Sequence, residues 1–576
     1  MLVEDIRKIE AEYFDRKSDM AVPELLCAYF EQKEYEFVYF ISKNYVTQFW
    51  EAGFYNMISL VIMGYTGNAA VIYKKYKDDW FNLFKQYNIY WKHIVLFALL
   101  FKEFDIPLYY QAIFDEYFEN PMVQLLEMAQ TEPVAQLIKT GLFRSVERNY
   151  PVIRSIWQDS IRKNKTSVLA FEDVQWNIWK RQNDKIGNGV QYGIEQIYKD
   201  NVLKIYSYKP KTVSASMHII TDGENTVVLD CGCEISGDNI IRINVKEILS
   251  LLGISSIDAV FLSHAHMDHY GSLNEIRKYP VYMTEITKSL VHISSPDIAL
   301  GNAKLINEYS GTDISGIYVR FIPNGHIPGS VMMDINWKNY KRIVYTGDYS
   351  VEDQCTVQGF NAEDLKASGN GKIDILITET TFGDRPEVLS HAIYEKIFVK
   401  YCRKQLQYGN KIIIPCSAAG GAQEVAMLLS GLASETGAKI LVDGMAAAIT
   451  QYYQILTGKN ILSKNISVCN QGLGLTEKIF NNNIILASSG MIKEGSTSAM
   501  YIKELMDKEK VCVIKTGFIS ETGHLFSGIL NRANKNIHYA DIPLLEHAGY
   551  KSLIETTEKL APDCVLYVHG TGIKIY

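Results

Sequence analysis

The 576-residue chain has no CxxC pair; its nine cysteines are scattered at 27, 231, 233, 355, 402, 416, 469, 512 and 564. That spacing argues against a disulfide scaffold in a chain this long and points to a reducing compartment. Cys231 and Cys233 flank a glycine and read as small apolar side chains at a strand end. No apolar signal core opens the sequence, and its first residues, MLVEDIRKIEAEYFDRK, carry acids, so a cytoplasmic location is expected. No apolar run reaches bilayer length, so no membrane association is expected: HIVLFALLF, residues 93–101, has about half of what a span needs. Nor is one sign of charge in large excess, since 58 Lys and Arg against 65 Asp and Glu give −7. With 47% hydrophobic and 21% charged residues, disorder, a collagen-like rod and a supercharged nucleic-acid tail are excluded. A local basic groove on a mildly acidic surface is not.

Glycine and β-branched alternation are scarce before about residue 200. Apolar and aromatic residues recur there at helical spacing, as in Tyr73, Tyr76, Trp80, Phe84 and Tyr87. Similar patterns cover residues 3–14, 23–31, 134–138 and 152–161, so residues 1–195 read as an all-helical domain of unassigned role. The aromatic stripe is read as core packing in preference to a base-stacking surface. Beyond residue 200, short β-rich runs such as MHIITDG, NTVVLDCG, IDAVFLSH and RIVYTGDY alternate with helical stretches at 391–407 and 422–433. Uninterrupted apolar strands between helices predict α/β layers, with polar and glycine residues crowding the strands' C-terminal ends.

His264-Ala-His266-Met-Asp268-His269 follows the expected strand 257–263. Histidines two apart on an extended segment point the same way, so His264 and His266 can hold one ion together. Asp268 and His269, about a turn later, are displaced enough to serve a second. Such a register is improbable by chance in a chain with 12 histidines.

HAHMDH resembles the HxHxDH motif of the metallo-β-lactamase superfamily. VVLDCG, NGHIPGS and YTGDYS extend the likeness through Asp230, His326 and Asp348. The resemblance implies that His264, His266 and His326 hold a first metal, that Asp268 and His269 hold a second, and that Asp348 bridges them. Asp230 would orient ligands from behind. A donor set of nitrogen and carboxylate without cysteine suits two zinc ions, with manganese also compatible. A zinc pair in such a family activates water and stabilises charge on a phosphodiester, which makes hydrolysis the expected reaction.

The C-terminal part resembles the β-CASP branch, of the RNase J and cleavage-and-polyadenylation endonuclease type. LITETTFGDR places Glu379, LLEHAGYKSL His547 and LYVHGTG His569 at that branch's three extra motifs. The implied fold is an αββα sandwich at 200–385, an inserted α/β cap at 386–540 and a return segment at 541–576. His569 would complete the second metal's shell, His547 would protonate the leaving oxygen, and Glu379 would orient His547. His218, His292, His391, His524 and His538 fit no ligand position and are expected to be structural. A histidine at the third motif marks RNA-directed members, so RNA is the expected substrate. Two departures bear on substrate handling: Gly420-Gly421 stands where relatives read glycine-arginine, and Thr571 where they read glutamate. The alternatives left open are a nuclease acting on single-stranded DNA, a small-ester hydrolase and a non-catalytic scaffold. A protein partner for the helical domain and a homodimer are left open too.

Overall fold

The computed structural model describes residues 3–16, 18–63, a few positions between 65 and 76, and most of 193–570. Within that last span the undescribed residues are 210–214, 237–238, 367–370, 384, 386–388, 470–473, 491, 493–494, 506–509, 518–536 and 545. Most of the 73–87 stripe, the stretches at 134–138 and 152–161, His524 and Thr571 therefore lie outside the described residues. The chain divides into two compact units, residues 1–171 and 172–575.

In the first unit the described elements are helical. Val3–Glu10, Val22–Glu31, Tyr35–Ser42 and Trp50–Ile62 are α-helices, and Ala11–Asp15 continues the first as a π-turn. Their apolar faces close on Phe14, Leu25, Tyr29, Phe37 and Met57, all buried. Phe14 and Phe37 stack at 6.4 Å, so the aromatics of these helices pack inward.

The second unit is built on two sheets packed face to face. One has seven strands: Ile194–Lys199, Lys204–Tyr208, His218–Thr221, Thr226–Leu229, Ala259–Phe261, Val281–Met283 and Ala303–Leu305, in that spatial order. Its first four strands are antiparallel and the rest parallel. The second has six strands, in the order Gly311–Ile314, Ile317–Pro323, Val331–Trp337, Lys341–Tyr345, Ile375–Thr380 and Cys564–Gly570.

Strand periodicity decides which side chains meet. Phe321, Met333, Ile343 and Ile375 point into the shared core with Ile205, Val227 and Phe261 of the first sheet. Their neighbours Ile322, Met332, Val344 and Leu376 point the other way, under helix Tyr550–Leu560. The strand expected at 257–263 is shorter, Ala259–Phe261, but its backbone bonds run on: Leu262 N–H donates to Tyr282 O at 2.9 Å and Val331 N–H to Ser263 O at 3.0 Å. The histidines thus leave directly from the sheet. Cys231 and Cys233 are buried thiols outside any disulfide, as small apolar residues would be.

Between Ile375–Thr380 and its parallel neighbour Cys564–Gly570 the chain leaves the sandwich and builds a third sheet. Its six strands, all parallel, run Ile466–Val468, Ile440–Asp443, Ile484–Ala487, Lys411–Pro415, Val511–Lys515 and Ile537–Asp541. Helices His391–Gln407, Gly421–Thr436 and Met445–Thr457 belong to this insertion. The helix expected over 391–407 has those bounds, and the one expected over 422–433 runs from Gly421 to Thr436. Among the described residues no helix is long and apolar enough to cross a membrane.

Candidate metal centre

The strand ends and the return segment bring every expected site residue together. Ligand atoms of His264, His266, His326 and Asp348 lie within 4.8 Å of one another, as do those of Asp268, His269 and His569. Asp348 stands between the groups. Its Oδ2 is 3.7 Å from His264 Nε2 and 3.2 Å from His269 Nε2, and its Oδ1 is 3.6 Å from His569 Nδ1.

Hydrogen bonds fix the protonation of the rings. His266 Nε2 is 3.1 Å from the Ala419 carbonyl and His326 Nδ1 is 2.7 Å from the Glu546 carbonyl. Carbonyls only accept, so those nitrogens carry the protons. The remaining nitrogens, His266 Nδ1 and His326 Nε2, then face each other with lone pairs 3.0 Å apart. Two lone pairs at that distance repel unless a cation lies between them. His264 Nε2, His269 Nε2 and Asp348 Oδ1 are likewise buried without a hydrogen-bond partner. These orphaned atoms fit divalent ions.

The electrostatics agree. Burial, reinforced by neighbouring imidazoles, holds His264 and His326 well below the usual histidine range, so both are neutral donors. Burial opposes ionisation of Asp348, yet the surrounding imidazoles outweigh it and hold the carboxyl well below its usual range.

Asp230 sits behind this shell. It accepts from Ser263 N–H at 2.7 Å, Ser263 Oγ at 2.8 Å, Tyr345 OH at 2.6 Å and His269 Nδ1 at 2.8 Å. Asp230 and His569 both adopt positive φ, 57° and 49°, a cost that side chains repay only where position matters. Gly232 has no room for a side chain, because a Cβ would meet the Asp268 carbonyl at 1.5 Å. The glycine between the two cysteines is therefore what lets the 230–233 segment lie against the Asp268 turn.

His547 and Glu379 form a pair beside the ligands, with Nδ1 3.1 Å from Oε1. The Glu379 carboxylate also accepts the N–H groups of Tyr349 at 3.0 Å and Thr381 at 3.1 Å. Burial disfavours the charged ring of His547, but Glu379 and Asp348 more than compensate, leaving its pKa at about 9. A cavity of about 630 Å³ opens over the centre, lined by His266, Asp268 and His547 on one side and Ser417, Ser488 and Thr516 of the insertion on the other.

Residues 211–395 match the metallo-β-lactamase superfamily model. That stretch is a metallo-β-lactamase superfamily domain. This chain is similar to a probable RNase of Methanocaldococcus jannaschii, 28% identical over 403 residues, covering 62% of this chain and 90% of that one. An RNase J-like protein of the same organism is 25% identical over 383 residues, covering 60% and 86%. Transcription termination factor FttA of Methanococcus maripaludis is 26% identical over 424 residues, covering 60% and 63%. Metallo-β-lactamase proteins use divalent metal ions, in keeping with the lone pairs gathered here.

Against that family, Gly421 has a local cause. A Cβ there would lie 2.6 Å from both Glu546 Oε1 and Ser417 Oγ, so the helix start has closed where an arginine stem would pass. His218 is structural as expected: it is bonded to Ser207 Oγ and Ser216 Oγ, and burial pushes its pKa down to about 3. Several contributors went unread in the sequence. Tyr345 is visible in hindsight, on a strand end three residues before Asp348. The carbonyls of Ala419 and Glu546 carry no sequence signal, because a backbone acceptor is the same whatever the residue.

Proposed function

We propose that the chain is a metal-dependent hydrolase of the β-CASP ribonuclease type that cleaves RNA phosphodiesters with two zinc ions. The observation that supports this most is the cluster of opposed lone pairs beside the His547–Glu379 pair, inside a cavity shared with the inserted segment. His264, His266 and His326 would hold one ion, Asp268, His269 and His569 the other, and Asp348 both. Ions bound there would lower the pKa of water and neutralise charge on phosphoryl oxygens.

The chain's own residues do the rest. Asp230 fixes His269 by accepting its Nδ1 proton, which keeps Nε2 aimed at the centre. Glu379 accepts from His547 Nδ1, so His547 keeps its second proton on Nε2, on the cavity side, for the departing oxygen. The insertion at 386–540 acts as the β-CASP cap that covers the strand. Residues 1–195 guide substrate or a protein partner.

End-labelled RNA and matched single-stranded DNA, incubated with zinc-loaded protein and then with a chelator, test the reading. Chelator-sensitive cleavage of RNA supports it. Cleavage of DNA alone, turnover of small esters with both polymers intact, or no hydrolysis at all would each refute it.

A further inference from the structure

Behind the centre, a line of polar side chains runs from the first sheet to Asp230. Ser207 and His218 sit opposite each other on strands Lys204–Tyr208 and His218–Thr221, with His218 Nδ1 3.0 Å from Ser207 Oγ. His218 Nε2 lies 3.1 Å from Ser216 Oγ, and Ser216 Oγ lies 3.0 Å from Tyr345 OH. Tyr345 OH is 2.6 Å from Asp230 Oδ2, the same oxygen that takes His269 Nδ1 at 2.8 Å. Ser207, Ser216, His218, Tyr345 and Asp230 are each no more than 3% exposed, so bulk water competes for none of these links.

Only one placement of protons makes every contact a hydrogen bond. A carboxylate accepts, so the single phenolic proton of Tyr345 goes to Asp230. The Tyr345 oxygen must then accept from Ser216 Oγ, which leaves Ser216 no proton for His218. His218 Nε2 therefore carries a proton and donates it to Ser216. Burial keeps this ring neutral, its pKa pushed down to about 3, so Nδ1 is bare and accepts from Ser207 Oγ. The other acceptor within reach of Ser207, the Tyr208 carbonyl, is more distant at 3.4 Å. Every donor in the line points toward Asp230, and hydrogen bonds aligned in that way polarise one another.

Ser216 has a second hold on the same side of the centre. Its N–H donates to the Asp268 carbonyl at 2.7 Å. Asp268 and His269 are the ligands proposed for the second ion. Of the ligands proposed for the first, His264 reaches Asp230 only through the Ser263 hydroxyl, and His266 and His326 bond elsewhere.

We propose that Ser207, His218, Ser216 and Tyr345 are positioning residues that hold Asp230 against His269 and thereby set the affinity of the second ion. The inference rests on the two-ion reading above. None of the four is a ligand; each acts through Asp230, which keeps the His269 Nε2 lone pair turned to the centre. His218 gives the line its direction, because its neutral ring accepts at one end and donates at the other.

Calorimetric titration of metal-free, full-length protein with zinc tests this without any cleavage assay. Tyr345→Phe removes one hydroxyl and should weaken the second ion about 10-fold, with the first ion near its original affinity. His218→Phe should weaken the same ion roughly 3-fold, the scale of coupling within one hydrogen-bond network. His218→Gln, which keeps a donor near the Nε2 position, should restore most of that loss. The double variant should lose no more than Tyr345→Phe alone, because the line is already cut there. A merely structural histidine would lower stability in denaturant without this pattern. Unchanged binding in Tyr345→Phe, equal weakening of both ions, additive losses or no rescue by glutamine would overturn the proposal. Should His218→Phe fail to fold, Tyr345→Phe decides alone. Wild-type protein that takes up fewer than two ions would overturn the two-ion reading and this inference together, whereas two normal ions in Tyr345→Phe would overturn this inference only.

Discussion

His547 Nδ1 lies 3.1 Å from Glu379 Oε1, and that carboxylate is itself braced by the N–H groups of Tyr349 and Thr381. The proposed acid and its orienting anion therefore come from either side of the insertion: Glu379 from the strand that precedes it, His547 from the segment that follows it.

His547→Ala should leave both catalytic-centre ions in place and lower cleavage by about 10²–10⁴-fold, the usual worth of a positioned acid. Metal content and single-turnover cleavage, measured on the same preparation, check this. Loss of an ion would show that His547 is a ligand and not an acid.

Glu379→Gln should move the alkaline limb of the cleavage profile. With His547 as the proposed acid the protonated ring is the working form, so activity should fall as pH rises through the His547 pKa. The Glu379 anion raises that pKa, and removing its charge lets the fall begin at lower pH. A limb that stays put, or moves upward, would contradict the assignment.

His569→Ala should release one ion selectively. The ring reaches Asp268 Oδ2 at 3.3 Å but does not belong to the tight group of His264, His266, His326 and Asp348. Calorimetric titration of metal-free protein should then show one site kept near its original affinity and one weakened. Equal weakening of both would argue for a single merged site.

Asp230→Ala should cost on the order of 3 kcal/mol in denaturant unfolding, because four donors lose a common buried acceptor. Affinity for metal should fall by roughly 10–100-fold, as for other orienting carboxylates. Asp230→Asn, close in shape, should recover more stability than metal affinity.

The legible parts of this molecule are those whose chemistry is local. Asp268 and His269 are fixed by a few residues of spacing, and strands such as Ala259–Phe261 by unbroken apolar runs, so both could be read directly. The ring tautomers could not, because they depend on carbonyls of Ala419 and Glu546, 153 and 220 residues from the histidines they bond. Gly421 looked like the loss of a cation from the sequence; its crowding against Glu546 and Ser417 became visible only in three dimensions. The strands Ile194–Lys199 and Lys204–Tyr208, which start the first sheet, escaped notice because their short, half-polar text lacks the apolar run of a central strand.

Asp268 and His569 meet across 301 residues of chain, and the whole third sheet is made between them. During synthesis, then, the early histidines emerge long before their last companion, and a chain cut short within the insertion would expose a half-built cage of imidazoles. Loading of the second proposed ion site is thereby tied to completion, because His569, proposed to hold that ion, arrives only with the closing strand.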